Sequence, residues 1–259
     1  LLCRYALHHT AMGPATFTGV RMLSGAATLW LIVRVRAADR PPTGDWLSAL
    51  ALFAYAAAFS FAYVGLAAGP GALLLFGAVQ VTMLGHGLWA GERLRTTQWA
   101  GLLLALAGLV ALVLPGLEAP APASAALMLL AGMAWGVYSL RGRNGGDPLR
   151  ATAGNFMRAA PLALGLWLMA PHGALDGADL AGWASGIASG ALTSGVGYAL
   201  WYAALPGLSS TQAAAVQLSV PVIAAFGGVL LLGETITLRL LLASAAILGG
   251  VAAVLRGKA

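Results

Sequence analysis

The stretch PATFTGVRMLSGAATLWLIV (Pro14–Val33) carries one arginine and one tryptophan in an otherwise apolar span, and TAGNFMRAAPLALGLWL (Thr152–Leu168) repeats both at the same spacing. Arg21 and Trp30 fall on Arg158 and Trp167, each 137 residues further on. The same offset carries Trp46 onto Trp183 and Ala78-Val79-Gln80 onto Ala215-Val216-Gln217. Beyond the glutamines the offset is 142, placing Gly91-Glu92 on Gly233-Glu234 and Gly108 on Gly250. Apolar helices do not readily give this many anchors at one offset by chance, so the chain is read as a duplication. An insertion in the fourth helix of the second copy accounts for the change of offset.

Composition sets the class. Sixty per cent of the residues are hydrophobic and 8% charged, with a strongly positive mean hydropathy, which is far from the mix of a soluble domain. An integral membrane protein is expected, with the lipid bilayer as its surroundings. The 14 Lys and Arg against 8 acids do not point to nucleic acid, because most of the arginines lie in short loops between apolar spans. Cys3 is the single cysteine, which excludes an intramolecular disulfide and a cysteine-rich metal site. Apolar spans are read at about 1–9, 14–35, 46–67, 71–91, 98–115, 124–141, 150–170, 179–203, 210–232 and 238–256. All but the first approach the roughly 20 residues needed to cross ~30 Å of hydrocarbon. The repeat offset places the mate of the sixth span partly before Leu1, so the first helix is expected to lack its beginning.

The loops set the orientation. Arg34, Arg36, Arg40, Arg93, Arg95, Arg141, Arg143, Arg150, Arg256 and Lys258 fall on one side, against Arg239 and Arg4 on the other. The positive-inside rule puts the first set, and both termini, in the cytoplasm. Five helices per copy is an odd number, so the copies must cross the membrane in opposite senses. Inverted repeats of this kind are a recurring transporter plan, with substrate bound near mid-depth between the halves.

On the five-plus-five duplication, the FTGVRMLSGA segment (Phe17–Ala26) and the GERL and GLLLALAGLVALVL segments (Gly91–Leu94, Gly101–Leu114), the chain resembles the EamA-like ten-helix branch of the drug/metabolite transporter superfamily. Within it the likeness is strongest to bacterial exporters of aromatic and other neutral amino acids. The resemblance implies an all-α membrane fold of ten transmembrane helices, arranged as two inverted five-helix repeats around a central cavity. Helices one to four and six to nine would surround the cavity, with five and ten at the periphery. The repeats would be 1–116 and 124–259, joined by an external linker at 117–123. The implied setting is a bacterial inner membrane, and a monomer is expected.

The residues support a cavity without reference to the family. Tyr55, Phe59 and Tyr63 follow one another at i, i+4 and i+8. Trp135 and Tyr138, and Tyr198, Trp201 and Tyr202, are likewise at helical spacing. Aromatic faces with polar tips suit a pocket for an apolar or aromatic side chain. Packing or anchoring at the membrane interface is the competing reading, and the preferred one for Tyr63, Trp30 and Trp46 near span ends. Gln80 and Gln217 are amides in apolar helices and must face a cavity or a neighbouring helix. Pro221 and Pro161 withhold a donor from the carbonyls of Gln217 and Met157, the latter beside Asn155 and Arg158. Arg21 and Arg158 are candidates to hold a substrate carboxylate. Each lies close enough to a span end that snorkelling to the headgroups is the reading favoured from sequence. His86 is read as a helix-packing histidine, and as the sole candidate for protonation. His8, His9 and His172 are read as loop residues, and Gly69-Pro70-Gly71 and Pro206-Gly207 as turns.

All eight acids, Asp39, Asp45, Glu92, Glu118, Asp147, Asp176, Asp179 and Glu234, fall in loops or at helix ends. Proton- and sodium-coupled carriers usually keep a carboxylate within the membrane. A facilitator without ion coupling, cofactor or metal is therefore expected, with a small neutral or aromatic amino acid as cargo. Export of another small metabolite, a purine or a drug-like compound, with or without proton coupling, is the alternative. Ser139, Ser194 and Ser219 have no histidine or aspartate in evident reach, so no catalytic residues are assigned.

Overall fold

The computed structural model describes residues 2–36, 41–113, 121–143, 146–170, 179–232 and 236–256. These form ten helices and, among the described residues, no strand. In order they are α1 (Leu2–His9), α2 (Pro14–Arg36), α3 (Trp46–Ala62), α4 (Ala68–Trp89), α5 (Thr96–Val113), α6 (Pro122–Gly142), α7 (Pro148–Met169), α8, α9 and α10 (Leu238–Arg256). Helix α8 runs as Leu180–Ala188, a π-helical stretch Ser189–Val196 and Gly197–Ala204, while α9 is broken at Leu218 into Ser210–Gln217 and Ser219–Leu232. Helices α2, α4 (from Gly69), α5, α6 and α10 are long and apolar enough to cross a membrane, and α3 is a shorter apolar helix. Helices are the expected solution, because hydrocarbon offers no partner to a free peptide group. The fold is an all-helical membrane bundle.

The acids mark where helices begin. Asp45, Asp147 and Asp179 cap α3, α7 and α8 by accepting backbone N–H bonds from Ser48, from Leu149 and Arg150, and from Gly182. Ser209 and Gln212 form a capping box on α9. A carboxylate at a helix N-terminus satisfies an orphan donor and meets the positive end of the helix dipole, which is why the acids sit at helix ends.

Helix neighbours follow the repeat. Helices α2 and α7 pack together, as do α4 and α9, and α5 and α10; each of these pairs maps onto itself when the halves are exchanged. The pair α3 and α6 exchanges with α8 and α1, α2 and α8 with α7 and α3, and α2 and α3 with α7 and α8. A two-fold between halves of five helices each must lie in the membrane plane, so the repeats are inverted. Helices α5 and α10 meet backbone to backbone: a Cβ at Gly101 would come within 2.7 Å of the Gly250 carbonyl oxygen, and one at Gly250 would strike that of Gly101. Small residues allow this approach in lipid.

The helix break in α9 falls in the interval where the repeat offset changes. The expected turn Gly69-Pro70-Gly71 is instead the first turn of α4, where proline costs little because the first N–H groups have no partner in any case. Pro206-Gly207 lies in a short 3-10 turn. Glu118, His172, Asp176, Gly233-Glu234, Asp39, Arg40, Lys258 and most of the 117–123 linker lie outside the described residues.

Candidate functional site

Between the two halves lies a cavity of about 830 Å³, within the range of small-molecule sites. Its deep wall is aromatic. Tyr55 and Phe59 of α3, Trp135 of α6, Tyr198 and Trp201 of α8 and Gln217 of α9 all line it. Ring centroids are 4.9 Å apart for Tyr55 and Trp135 and 4.6 Å for Trp135 and Tyr198, in tilted arrangements. Three helices thus deliver their rings to one surface. The Trp135 indole N–H donates to Gln217 Oε1, and the Gln217 amide N–H₂ donates to Met83 Sδ and the Ala213 carbonyl. Trp201 Nε1 donates to Ser139 Oγ at 3.0 Å. Both tryptophan rings are therefore fixed by a polar partner as well as by packing.

The cavity is partly open and has a mouth at one end. Cys3 and Arg4 at the start of α1, Tyr63 just past α3, Val113 at the end of α5, and Gly69 and Arg239 at the starts of α4 and α10 line it there. Tyr63 is thus a cavity residue, which corrects its reading as an interfacial anchor. Trp30 and Trp46 stay on the outside, both exposed, with the Arg34 guanidinium over the Trp30 ring.

The opposite, arginine-rich end is closed by ion pairs and hydrogen bonds. Arg141, at the end of α6, donates to Asp45 Oδ1 (2.8 Å) and Ser48 Oγ (2.9 Å) at the start of α3. Arg143 lies 3.8 Å from Glu92 Oε1 and donates to the Leu208 carbonyl and Ser210 Oγ. Glu92 accepts from the backbone N–H groups of Ser210 and Thr211 and from the Thr211 hydroxyl, so it caps the start of α9. Burial alone would raise both carboxyls. The hydrogen bonds from Ser48 and Arg141 outweigh it at Asp45, and those from Ser210 and Thr211 at Glu92, so both are held below their ordinary range.

Above this closure, Tyr202 stacks on Tyr138 with centroids 4.7 Å apart and donates from its hydroxyl to the Tyr138 carbonyl oxygen. Both are buried and neither lines the cavity, contrary to expectation. Gln80 is also buried behind the wall. Its amide donates to the Ala214 carbonyl at 2.7 Å, joining α4 to α9, while Oε1 has no partner.

The two arginines, equivalent in sequence, have separated roles. Arg158 does not reach the cavity; its Nη1 donates to the carbonyls of Thr43 (2.6 Å) and Gly154 (3.0 Å). Asn155 is turned the same way, with Oδ1 accepting from the Asp45 N–H. Gly44 has φ +76°, and a Cβ there would press on Asn155. Arg158 and Asn155 hold the strap before α3 instead of a ligand. Arg21 is 5% exposed, so it does not snorkel. Its Nε donates to Ser194 Oγ (2.7 Å) and its Nη2 to the Tyr198 hydroxyl (2.5 Å). The guanidinium carbon lies 5.4 Å and 5.7 Å from the ring centroids of Tyr55 and Phe59. The π-helical stretch of α8 brings Ser194 into range: Gly190 and Gly25 let α8 and α2 approach so closely that a Cβ on Gly25 would meet the Gly190 carbonyl at 3.0 Å. Ser194 was not singled out as a site residue in the sequence, where the visible signal is the glycines flanking it.

His86 faces outward near the end of α4, beside Trp89 at 6.4 Å, and is exposed; it is not packed between helices as expected. Among the described residues there is no His, Cys, Asp and Glu group suited to a metal ion.

Three comparisons bear on this arrangement. The model of the EamA-like transporter family matches residues 1–114 and 123–256. An uncharacterised protein of Pseudomonas aeruginosa is 56% identical over 256 residues, covering 98% of this chain and 88% of that protein. A solved crystal structure superposes with a TM-score of 0.80 at 21% identity, over 99% of this chain and 95% of that one, which speaks for the fold alone. Helices, cavity and family match agree, and the chain belongs to the EamA-like transporter family, whose members carry small molecules across membranes.

Proposed function

We propose that the protein is an alternating-access exporter of aromatic and other neutral amino acids, working as a monomer in a bacterial inner membrane with both termini in the cytoplasm. The observation that carries this reading is the aromatic cavity with a mouth at one end and ion pairs across the other. The positive-inside rule makes the arginine-rich end cytoplasmic, so the form described here faces outward. The halves, 1–116 and 124–259 joined at 117–123, rock about the shared two-fold to open the other end. Tyr55, Phe59, Trp135, Tyr198, Trp201 and Gln217 form the wall against which the cargo's side chain packs. Tilted rings at 4.6–4.9 Å favour a flat apolar group.

The acids that are described cap helices or pair with arginine, leaving no exchangeable carboxylate at mid-depth among them. Transport is accordingly read as uniport, driven by the cargo's own gradient, with no catalytic step, cofactor or metal. Counterflow in proteoliposomes of purified protein tests the reading. Labelled phenylalanine, tryptophan or threonine should exchange against the same unlabelled amino acid. Exchange of a purine with none of the amino acids would transfer the reading to that cargo, and proton-dependent exchange would remove the uniport.

A further inference from the structure

Arg21 is a cation in the membrane interior whose partners are hydroxyl groups and ring faces. Among the described residues no carboxylate lies within ion-pair distance of it. Ser194 and Tyr198 satisfy hydrogen bonds and compensate no charge, and an uncompensated charge in a low-dielectric interior is costly. The guanidinium nevertheless lies one hydroxyl layer behind the cavity. The Tyr198 side chain that accepts from it also lines the cavity and approaches the Tyr55 hydroxyl at 3.3 Å. Its repeat mate Arg158 is spent on backbone carbonyls, so of this pair Arg21 alone stands beside the aromatic wall, while Arg4 and Arg239 lie at the mouth.

We infer that Arg21 is the anchor for a carboxylate on the cargo, and that the anion reaches it by displacing the Tyr198 hydroxyl. This rests on the amino-acid reading above and narrows it: every good cargo carries a carboxylate next to a flat or apolar group. The guanidinium fork suits two carboxylate oxygens. The cargo's carboxylate supplies a counter-charge that Ser194 and Tyr198 do not. An ammonium on the same cargo would face the rings of Tyr55 and Trp135, where a cation is tolerated.

The experiment uses two probes, 3-phenylpropanoate, a carboxylate without an amine, and 2-phenylethanol, which has neither charge. Thermal unfolding of the purified full chain is expected to shift upward with 3-phenylpropanoate and not with 2-phenylethanol. Arg21→Gln should abolish the difference and Arg21→Lys should restore part of it. In phenylalanine counterflow the carboxylate should inhibit about tenfold or more better than the alcohol, as loss of a buried charge partner generally costs at least this much. If Arg21→Gln does not fold, Tyr198→Phe keeps the cation and removes the competing hydroxyl; it should bind 3-phenylpropanoate at least as tightly as the native chain. Equal shifts from both probes in the native chain would overturn the anchor. No amino-acid flux together with a retained carboxylate-selective shift would remove the amino-acid cargo and keep the anchor.

Discussion

Trp135 shows what a single side chain contributes to the cavity wall. Its ring contacts Tyr55, Tyr138 and Tyr198, and its N–H fixes Gln217. Trp135→Phe keeps an aromatic surface but frees the amide, so the wall should lose definition more than bulk. A neutral hydrogen bond is worth about 1 kcal/mol; KM for tryptophan counterflow should rise several-fold while yield is unchanged. An equal fall in yield would return the ring to plain packing. Asn155 makes the opposite case. Asn155→Ala strips the Asp45 N–H of its acceptor and should lower stability by about 1–3 kcal/mol, read as a lower unfolding midpoint, with KM unaltered. The sequence offered Arg21 and Arg158 alike as carboxylate candidates, with snorkelling preferred for both, because repeat mates look alike one at a time. What separates them is the Thr43–Asp45 strap, which meets α7 more than 100 residues later in the chain. Aromatic spacing, by contrast, is local, and six of the rings named from it, those of Tyr55, Phe59, Tyr63, Trp135, Tyr198 and Trp201, line the cavity.

At the scale of the helix, the end of α6 acts as a latch. Arg141 ties it to the start of α3 and Arg143 ties it to Glu92 and the start of α9, so opening the arginine-rich end requires these contacts to part. Glu92→Gln keeps an acceptor but removes the charge facing Arg143 and the α9 dipole. In that background a cysteine at Ser139, beneath the latch, should react several-fold faster with a membrane-impermeant thiol reagent applied from the arginine-rich face. Unchanged labelling would make the ion pairs ornamental. Acid should act in the same direction. Asp45 and Glu92 have their carboxyls held low by these contacts, so the stabilisation is complete above the ordinary carboxylate range and is lost as pH falls below it. Helix positions were legible in the sequence to within a few residues, since a run of apolar residues long enough to span is a strong and local signal. The break of α9 at Leu218 was signalled by Pro221, which withholds a donor from the Gln217 carbonyl. The π-helical stretch in α8 was not legible, because it depends on what lies opposite, the backbone of α2 pressed against Gly190.

For the molecule as a whole the deciding quantity is charge that must move with the cargo. The arrangement keeps its described carboxylates, Asp45, Glu92, Asp147 and Asp179, at helix ends, and turns His86 outward. Arg21 is fixed behind the wall, so among the described residues no carboxylate or imidazole lies between the mouth and the latch to exchange a proton with each cycle. A zwitterionic amino acid carries no net charge, and a membrane potential does no work on it; an amino acid stripped of its ammonium carries one negative charge, on which about 2.3 kcal/mol acts per 100 mV. Phenylalanine counterflow should therefore be indifferent both to a proton gradient and to a potassium diffusion potential, in the native chain and in His86→Ala. Efflux of 3-phenylpropanoate from the same vesicles, corrected for protein-free leakage, should accelerate when the interior is made negative. Phenylalanine flux that collapses with the proton gradient and survives at constant pH in His86→Ala would place a proton site among residues not assigned to it here, and uniport would have to be given up.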